Sequence, residues 1–168
     1  FPTHLLGVVP VLSAGDLVDS NNFARRSWSG LFNAFLHPAM ERFLYSADHR
    51  LGSHKTRNPL LVFRNDGGAA KVAKTTAIKT YSSGPRGGME GALALARHYG
   101  FERLLSYDVG GTTTDIGLVD HGELVTQSHG TVEGIEIGFP LVRIHSTGVG
   151  GSSVISLKDG KISVGPES

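Results

Sequence analysis

The sequence contains no cysteine, and this absence excludes several kinds of chemistry at once. Disulfide bonds, thiolate nucleophiles and sulfur-ligated metal sites all require cysteine side chains, so the chain can use none of them. A protein without cysteine is compatible with a reducing compartment, and we expect a cytoplasmic location.

An excess of charge of one sign is also missing. Sixteen basic residues nearly balance fifteen acidic residues, which leaves a formal net charge of +1, and the basic residues are spread along the chain. Proteins that bind nucleic acid or membrane surfaces usually concentrate positive charge. No apolar run reaches the length of a membrane span. We therefore expect neither nucleic acid nor a membrane among the partners.

Glycine is abundant, with 23 residues, and most of them follow residue 84. Each glycine raises the entropic cost of folding, so the second half of the chain is where we expect sharp bends or close approaches. The apolar fraction of 39% and the charged fraction of 18% are ordinary for a globular protein. A length of 168 residues suits one domain, or two small lobes.

The first half of the chain predicts a strand and then helices. The strand is expected at "HLLGVVPVL", residues 4–12. Polar residues at 19–22 offer caps for a helix, and Pro38 is expected to break or kink it before a second helical segment. We expect the aromatic and aliphatic stripe of this helix to pack in the core. The stripe consists of Trp28, Leu31, Phe32, Phe35 and Leu36.

A second helix is predicted after a short strand. "PLLVFRNDGG" reads as a buried strand that enters a loop at Asp66. "YSSGPRGGMEGALALARHYG" then offers Ser82 or Ser83 as a cap and Gly100 as a stop signal. The predicted apolar face of this helix consists of Met89, Ala92, Leu93 and Ala96.

Short strands follow from Arg103 onward. They are predicted at "RLLSYDV", "DIGLV", "ELVTQ", "FPLVRIHS", "SSVISL" and "KISV", with turns at residues 120–122 and 159–160. The order indicates a mixed α/β domain with antiparallel strands rather than an alternating βαβ array. We expect a helix-rich first part, residues 1–75, and a lobe core, residues 76–168.

The stretch "YDVGGTTTDIG" carries the strongest chemical signal. A Walker loop requires Gly-Lys-Ser/Thr, and a dinucleotide fingerprint requires a helix after its glycines, whereas a strand follows here. The remaining phosphate-binding design is a tight turn whose backbone N–H groups form a nest, with glycines tolerating positive dihedral angles. A plain, solvated hairpin turn is the alternative.

Acidic residues on both sides of this turn suggest a cation. Asp108 would face Mg²⁺ or a water bound to it, because hard cations prefer carboxylate oxygen. Asp115 would orient a water or cap the turn. The residues expected to bind the nucleotide through backbone or hydroxyl groups are Gly110, Gly111, Thr112, Thr113 and Thr114.

Several spaced motifs together resemble one family. "LFNAFLHPAMERFL", "FRNDGG", "YSSGPRGGMEGALALA", "YDVGGTTTDIGLVDHGEL" and "RIHSTGVGGSSVISLKDGKISVGPES" look like the hydantoinase A and oxoprolinase family, which includes acetone and acetophenone carboxylase subunits. The resemblance implies an actin-like ATPase of the α/β class, with a ribonuclease H-like mixed sheet flanked by helices, of which the chain is a partial domain. It also implies that ATP and Mg²⁺ are used to activate an amide or carbonyl substrate.

The resemblance also implies roles for individual positions. The loop from Asp108 to Thr112 would be the second phosphate-binding hairpin, with Asp115 closing it, and both acids would be catalytic. The segment from Ser83 to Pro85 would head the helix that links two lobes. A late glycine cluster would contact the nucleotide, and it consists of Gly148, Gly150 and Gly151.

Family members carry another Asp-Xaa-Gly-Gly-Thr loop near their N-terminus, which this sequence lacks. We therefore expect a fragment whose ATP hydrolysis alone is feeble or absent, and whose full-length form has a partner subunit of the hydantoinase B type.

Four functions remain open at this point. The resemblance favours an ATP-dependent hydrolase of cyclic amides, such as hydantoins or oxoproline, with a ketone carboxylase subunit as the nearest alternative. A non-catalytic actin-like module of the chaperone or reactivase type, and a small-molecule kinase, would use the same loop. The nearest group of histidines, His121, His129 and His145, matches no common zinc spacing, so we expect them to be surface or hydrogen-bonded side chains rather than metal ligands.

Overall fold

The computed structural model of the chain describes residues 12–158 and 160–168. These residues fall into two compact units. The first takes the described residues up to Ser83 together with Gln127–Leu141, and the second consists of Gly84–Thr126 and Val142–Ser168. The boundary expected from the sequence, between residues 75 and 76, lies inside the first unit. The strand predicted at 4–12 lies outside the described residues apart from Leu12.

A long helix dominates the first unit. Helix α1 spans Ala14–Leu17, and helix α2 spans Phe23–Ser53 with Asn22 as its N-cap, whose side chain accepts a hydrogen bond from the Arg25 N–H. The prediction of a helix here is confirmed. The sequence predicted that Pro38 breaks or kinks the helix; a break is wrong, because α2 continues through Pro38, and a kink stays a prediction. The two segments predicted from the sequence form one helix.

Polar residues, rather than the aromatic stripe, fix α2 in the first unit. Ser29 and Asn33 are buried on α2. The Ser29 Oγ accepts a hydrogen bond from the Gly138 N–H at 3.0 Å, and the Asn33 Oδ1 accepts one from the Ile78 N–H at 3.0 Å. Within the stripe, only Phe32 packs against the core cluster of this unit. The core prediction is wrong for Trp28, Leu31 and Phe35, which are exposed.

The rest of the first unit consists of short elements. Strands β1, Leu61–Phe63, and β2, Ala69–Lys71, form an antiparallel pair around the turn at Asp66. Two 3-10 helices follow at Val72–Lys74 and Ala77–Thr80. Strands β7, Thr131–Val132, and β8, Ile135–Glu136, form a second pair. The core cluster consists of Leu17, Val18, Ile78, Val132, Ile137, Phe139 and Leu141.

Helix α3, Ser83–Tyr99, packs on the sheet of the second unit as its sequence predicts. Its predicted apolar residues, Met89, Ala92, Leu93 and Ala96, are all buried. Gly100 ends the helix with a φ of +71°, and the Phe101 N–H returns to the Ala96 carbonyl at 2.8 Å. No helix among the described residues is long and apolar enough to span a membrane.

The sheet of the second unit is antiparallel and has the order β10-β4-β3, with β5 also paired to β4. Strand β3 spans Arg103–Val109, β4 spans Thr114–Asp120, β5 spans Glu123–Leu124 and β10 spans Ile144–Thr147. The turn predicted after Asp120 is confirmed, with positive φ at His121 and Gly122. One face of this sheet packs on α3 through Leu104, Val119 and Ile144.

Four further strands complete the described elements. Strand β6 spans Thr126–Gln127, β9 spans Leu141–Val142, β11 spans Ile155–Lys158 and β12 spans Lys161–Val164. Strands β11 and β12 form the predicted hairpin, and Gly160 in its turn has a φ of +74°. Asp159, the other residue of that predicted turn, lies outside the described residues.

Candidate functional site

The candidate site is built on the hairpin between β3 and β4. The two strands pair from Arg103 opposite Asp120 to Val109 opposite Thr114, so residues 110–113 form the turn. The Gly110 N–H donates to the Thr113 carbonyl at 2.8 Å and closes the turn. The strand–turn–strand arrangement predicted from the sequence is confirmed.

The glycines of the turn do not have the backbone conformation expected from the sequence. Neither Gly110 nor Gly111 has a positive φ. A Cβ at Gly110 would lie 3.2 Å from the Thr113 carbonyl oxygen, and a Cβ at Gly111 would lie 3.6 Å from the Ser152 Oγ. Close approach therefore explains Gly110 better than left-handed backbone geometry does, whereas a Cβ at Gly111 would make only an ordinary van der Waals contact.

Asp108 and Asp115 are brought together by the register of the hairpin. They are opposite residues on β3 and β4, and both line one small cavity that is open to solvent. The other lining residues come from α3 and the sheet: Pro85, Gly88, Met89, Ser106, Gly117 and Ile144. A Cβ at Gly88 would lie 3.9 Å from the Asp108 Oδ2. The cavity thus places two carboxylates beside the first turns of α3.

Alternation along β3 explains why Asp108 faces this cavity. Side chains on a strand alternate between faces, so Leu104, Ser106 and Asp108 share one face. Leu104 packs against the core under α3, while Ser106 and Asp108 line the cavity. The sequence analysis did not identify Ser106, although its position two residues before Asp108 was the available signal.

Asp115 is fixed by a neighbour that the sequence analysis also missed. Strand β10 pairs with β4 in a register that places Ser146 opposite Asp115, and the Ser146 hydroxyl donates to the Asp115 Oδ1. Ser146 lies 31 residues away along the chain. No local pattern signals such a contact, because strand register between distant segments is decided by tertiary structure.

The late glycine cluster contacts the turn of the hairpin. The Gly151 N–H donates to the Gly110 carbonyl at 2.9 Å, and the Ser152 N–H donates to the Gly111 carbonyl at 2.7 Å. Gly150 directly precedes these two donors, and its own N–H donates to the Ser153 Oγ at 2.8 Å. The sequence analysis selected this cluster and the hairpin separately, and the structure brings them together.

The three consecutive threonines at residues 112–114 differ in their surroundings. Thr112 and Thr113 are exposed. Thr114 is buried, and its hydroxyl donates to the Val149 carbonyl at 2.6 Å. Gly148, the remaining predicted position, is exposed. A Cβ at Gly148 would lie 3.3 Å from the Cβ of Pro166.

Three backbone donors of the turn are available to a ligand. Among the hydrogen bonds formed by residues 12–158 and 160–168, the N–H groups of Gly111, Thr112 and Thr113 have no acceptor. All three residues are exposed. The Nε of Arg86, near the start of α3, donates a hydrogen bond to the Glu90 Oε1 at 2.8 Å. Neighbouring backbone N–H groups without acceptors are the groups that anions bind in protein nests.

The loop at Asp66 lies in the first unit and shows a second electrostatic feature. Burial by itself raises the pKa of Asp66, but the Gly68 N–H, Arg64 and Lys79 outweigh it and hold the pKa below its ordinary value of 3.8. The Gly68 N–H donates to the Asp66 Oδ1 at 3.0 Å.

The described residues contain no group of three or more His, Asp or Glu side chains arranged to hold a metal ion.

Comparison with known protein families matches residues 13–168 to the hydantoinase/oxoprolinase model. The chain belongs to the hydantoinase/oxoprolinase family. Among curated relatives, the 5-oxoprolinase of Saccharomyces cerevisiae is 33% identical over 87% of this chain, and caprolactamase subunit alpha of Pseudomonas jessenii is 30% identical over 85%. The resemblance inferred from the motifs is confirmed.

Solved structures of two family members share the fold. A nucleotide-free acetone carboxylase structure, from a study of ATP-dependent acetone carboxylation, matches 88% of this chain with a TM-score of 0.78 and 25% identity. The ATP-dependent caprolactamase of Pseudomonas jessenii matches 92% with a TM-score of 0.71 and 26% identity. The mixed helix-and-sheet fold is therefore that of these enzymes.

The chain spans a small part of each of these proteins. It covers 11% of the yeast 5-oxoprolinase and 21% of caprolactamase subunit alpha. It covers 21% of the acetone carboxylase chain and 23% of the caprolactamase chain in the solved structures.

Proposed function

We propose that the chain supplies a phosphate-binding hairpin to the ATP site of a larger enzyme that hydrolyses cyclic amides of the hydantoin or oxoproline type. The observation that carries this proposal is the run of exposed N–H groups without acceptors, at Gly111, Thr112 and Thr113, beside two opposed carboxylates. Backbone N–H groups of this kind bind polyphosphate oxygens, and the carboxylates suit the accompanying cation.

The residues present fit Mg²⁺. Asp108 and Asp115 offer hard oxygen donors on adjacent strands, and the Ser146 hydroxyl orients one of the Asp115 oxygens. Magnesium keeps several waters and is commonly held by one or two carboxylates plus phosphate. We assign Asp108 to the cation or to a water bound to it, and Asp115 to positioning a water. A bound cation would neutralise charge that develops on the phosphates.

The names of the relatives support an ATP-dependent hydrolase. The solved caprolactamase is named as ATP-dependent, and both 5-oxoproline and caprolactam are cyclic amides. Their amide bond is resonance-stabilised, so coupling its cleavage to ATP gives the ring opening a thermodynamic drive. For this chain, we propose the same class of reaction in the complete protein, with a lactam or a hydantoin as substrate.

A second candidate is the ATP-dependent carboxylation of a ketone. The observation that favours it is the structural match, since acetone carboxylase gives the higher TM-score of the two solved relatives, 0.78 against 0.71. The hairpin serves both reactions equally, because activation by ATP is common to them. The two candidates differ in the acceptor substrate.

We also propose a ribonuclease H-like, actin-like frame and a partner subunit. The antiparallel order β10-β4-β3, with α3 packed on one face, supports the frame. Relatives named as caprolactamase subunit alpha and acetone carboxylase beta subunit support an assembly of unlike subunits. We propose that the partner is of the hydantoinase B type.

The proposed function is tested with the complete protein that carries this chain, together with any co-purifying subunit. Turnover is measured with 5-oxoproline, hydantoin, caprolactam, and acetone plus bicarbonate, each with and without Mg-ATP. We expect ring opening of one cyclic amide that requires Mg-ATP. ATP-dependent consumption of bicarbonate with acetone would instead establish the carboxylase. Failure to bind Mg-ATP by calorimetry would overturn both.

A further inference from the structure

The segment 149–152, termed here the glycine brace, forms three hydrogen bonds with the β3–β4 hairpin. The Thr114 hydroxyl donates to the Val149 carbonyl at 2.6 Å. The Gly151 N–H donates to the Gly110 carbonyl at 2.9 Å, and the Ser152 N–H donates to the Gly111 carbonyl at 2.7 Å. The brace therefore binds two successive carbonyl groups of the turn and the first residue after it.

Because peptide groups are planar, these contacts determine which way the N–H groups of the turn point. The carbonyl of Gly110 and the N–H of Gly111 belong to one planar trans peptide, so they point in opposite directions. The same holds for the carbonyl of Gly111 and the N–H of Thr112. Because the brace holds both carbonyls, it directs both N–H groups away from itself. Among the described residues, neither of these two N–H groups has an acceptor.

The contact leaves no room for a side chain at Gly150. A Cβ at this position would lie 2.6 Å from the Gly111 carbonyl oxygen and 2.7 Å from the Gly110 carbonyl oxygen. Real Cβ atoms essentially never approach so closely, and the obstructing atoms are backbone rather than a flexible side chain. Even an alanine at 150 would push the brace off the two carbonyls that it holds.

Three of the four N–H groups of the brace are already used. Gly150 donates to the Ser153 Oγ, and Gly151 and Ser152 donate to the turn. They are therefore not free to bind phosphate in the structure described.

We propose that Gly150 is a positioning residue for phosphate recognition. It acts through the hairpin by allowing the glycine brace to hold the carbonyls of Gly110 and Gly111, so that the N–H groups of Gly111 and Thr112 face a polyphosphate. This inference rests on the proposed function, because it requires the hairpin to bind the phosphates of a nucleotide. It assigns the cluster a role distinct from direct contact with the nucleotide.

The chain offers a matched control one residue away. A Cβ at Gly151 would lie 3.8 Å from the Gly110 carbonyl oxygen, an ordinary van der Waals contact. Gly150→Ala and Gly151→Ala therefore make the same chemical change in the same loop, but only the first displaces the brace. In the complete protein, Mg-ATP binding is measured by calorimetry, and KM is measured for ATP and for the second substrate.

We expect Gly150→Ala to raise the Kd and the KM for ATP at least about tenfold, with the KM for the second substrate changed less than about twofold. Gly151→Ala, which keeps the N–H that donates to the Gly110 carbonyl, should lose markedly less ATP affinity than Gly150→Ala. Equal ATP affinity of Gly150→Ala and wild type would overturn the positioning role. A similar loss in both variants would also overturn it, because that result indicates direct contact or general sensitivity of the loop.

A second pair of variants covers the case in which Gly150→Ala does not fold. Ser152→Pro removes the N–H that donates to the Gly111 carbonyl, whereas Ser152→Ala keeps it. We expect weaker ATP binding only for the proline variant, and equal affinities of the two would overturn the inference. If the wild-type protein itself does not bind Mg-ATP, the proposed function fails. If the wild-type protein binds Mg-ATP and a variant with a disrupted brace binds it equally well, only the present inference fails.

Discussion

Asp108 and Asp115 lie directly opposite each other on β3 and β4, and both line the cavity beside α3. Like charges placed opposite each other on adjacent strands repel and destabilise a hairpin. Such an arrangement is useful where a cation is bound between the carboxylates. The pairing therefore connects the register of the hairpin to the chemistry proposed for the site.

The first prediction separates folding from function at Asp108. Asp108→Asn should abolish most Mg-ATP-dependent turnover of the complete protein, because the amide cannot replace a carboxylate toward the cation. Without divalent cations, the variant should be as stable as wild type or up to about 1 kcal/mol more stable, because one like-charge contact is removed. Thermal unfolding in EDTA and steady-state kinetics check both parts. Unchanged turnover would remove the cation role of Asp108.

The second prediction concerns the hydrogen bond that orients Asp115. Ser146→Ala removes the hydroxyl that donates to the Asp115 Oδ1. We expect kcat to fall several-fold while the KM for ATP changes little, because Asp115 is retained but less well oriented. Ser146→Thr, which keeps a hydroxyl on a strand, should recover most of the activity. A variant with wild-type kcat would show that Asp115 does not depend on Ser146.

The third prediction addresses the packing of α3 on β4. A Cβ at Gly117 would lie 2.2 Å from the Sδ of Met89, which is itself buried. Gly117→Ala should therefore destabilise the protein by about 1–3 kcal/mol, a usual cost of overpacking. Gly91→Ala is the control, because no atom lies within 4 Å of a Cβ at this helical position.

A double mutant identifies the cause of that destabilisation. Adding Met89→Ala to Gly117→Ala should cost less than the sum of the two single changes, because the smaller side chain leaves room for the new methyl group. Denaturant unfolding of the four proteins provides the comparison. If the changes in the free energy of unfolding are strictly additive, contact with Met89 is not the cause of the destabilisation by Gly117→Ala.

The fourth prediction is a pH dependence at the Asp66 loop. Because the pKa of Asp66 is lower in the folded chain than its ordinary value of 3.8, ionised Asp66 adds stability that is present above pH 3.8. This stability is lost as the pH falls through the lower pKa of the folded state. Asp66→Asn should be less stable than wild type at neutral pH, and the difference should shrink below about pH 4.

Unfolding measured from neutral to acidic pH checks this behaviour, with Asp48→Asn as the control because Asp48 is exposed on α2. A stability difference between wild type and Asp66→Asn that does not vary with pH would contradict it. The contacts involved are short-range, with the Asp66 carboxylate oxygens 3.4 Å from the Arg64 Nε and 3.6 Å from the Lys79 Nζ.

Several interpretations of the sequence stay predictions. They include the cytoplasmic location, the roles of the individual site residues and the weak activity expected of the chain alone. The family assignment is confirmed, and with it the mixed helix-and-sheet fold. The activity of the complete protein is proposed from relatives that are several times longer than this chain.

The amino-acid sequence by itself determined the local elements of this protein. The period of Met89, Ala92, Leu93 and Ala96 defined α3, and the strand–turn–strand pattern around Gly110 and Gly111 defined the hairpin, because neighbouring residues decide helical faces and tight turns. The spacing of several motifs also identified the family. Each of these features depends on contacts within a short stretch of chain.

Tertiary structure alone decided which distant segments meet. It placed Ser146 beside Asp115 and the glycine brace against the turn, and it left Trp28, Leu31 and Phe35 exposed on a helix whose pattern predicted burial. Strand register and helix docking depend on contacts between residues far apart in sequence, and a local periodicity shows that a face is apolar without showing what covers it.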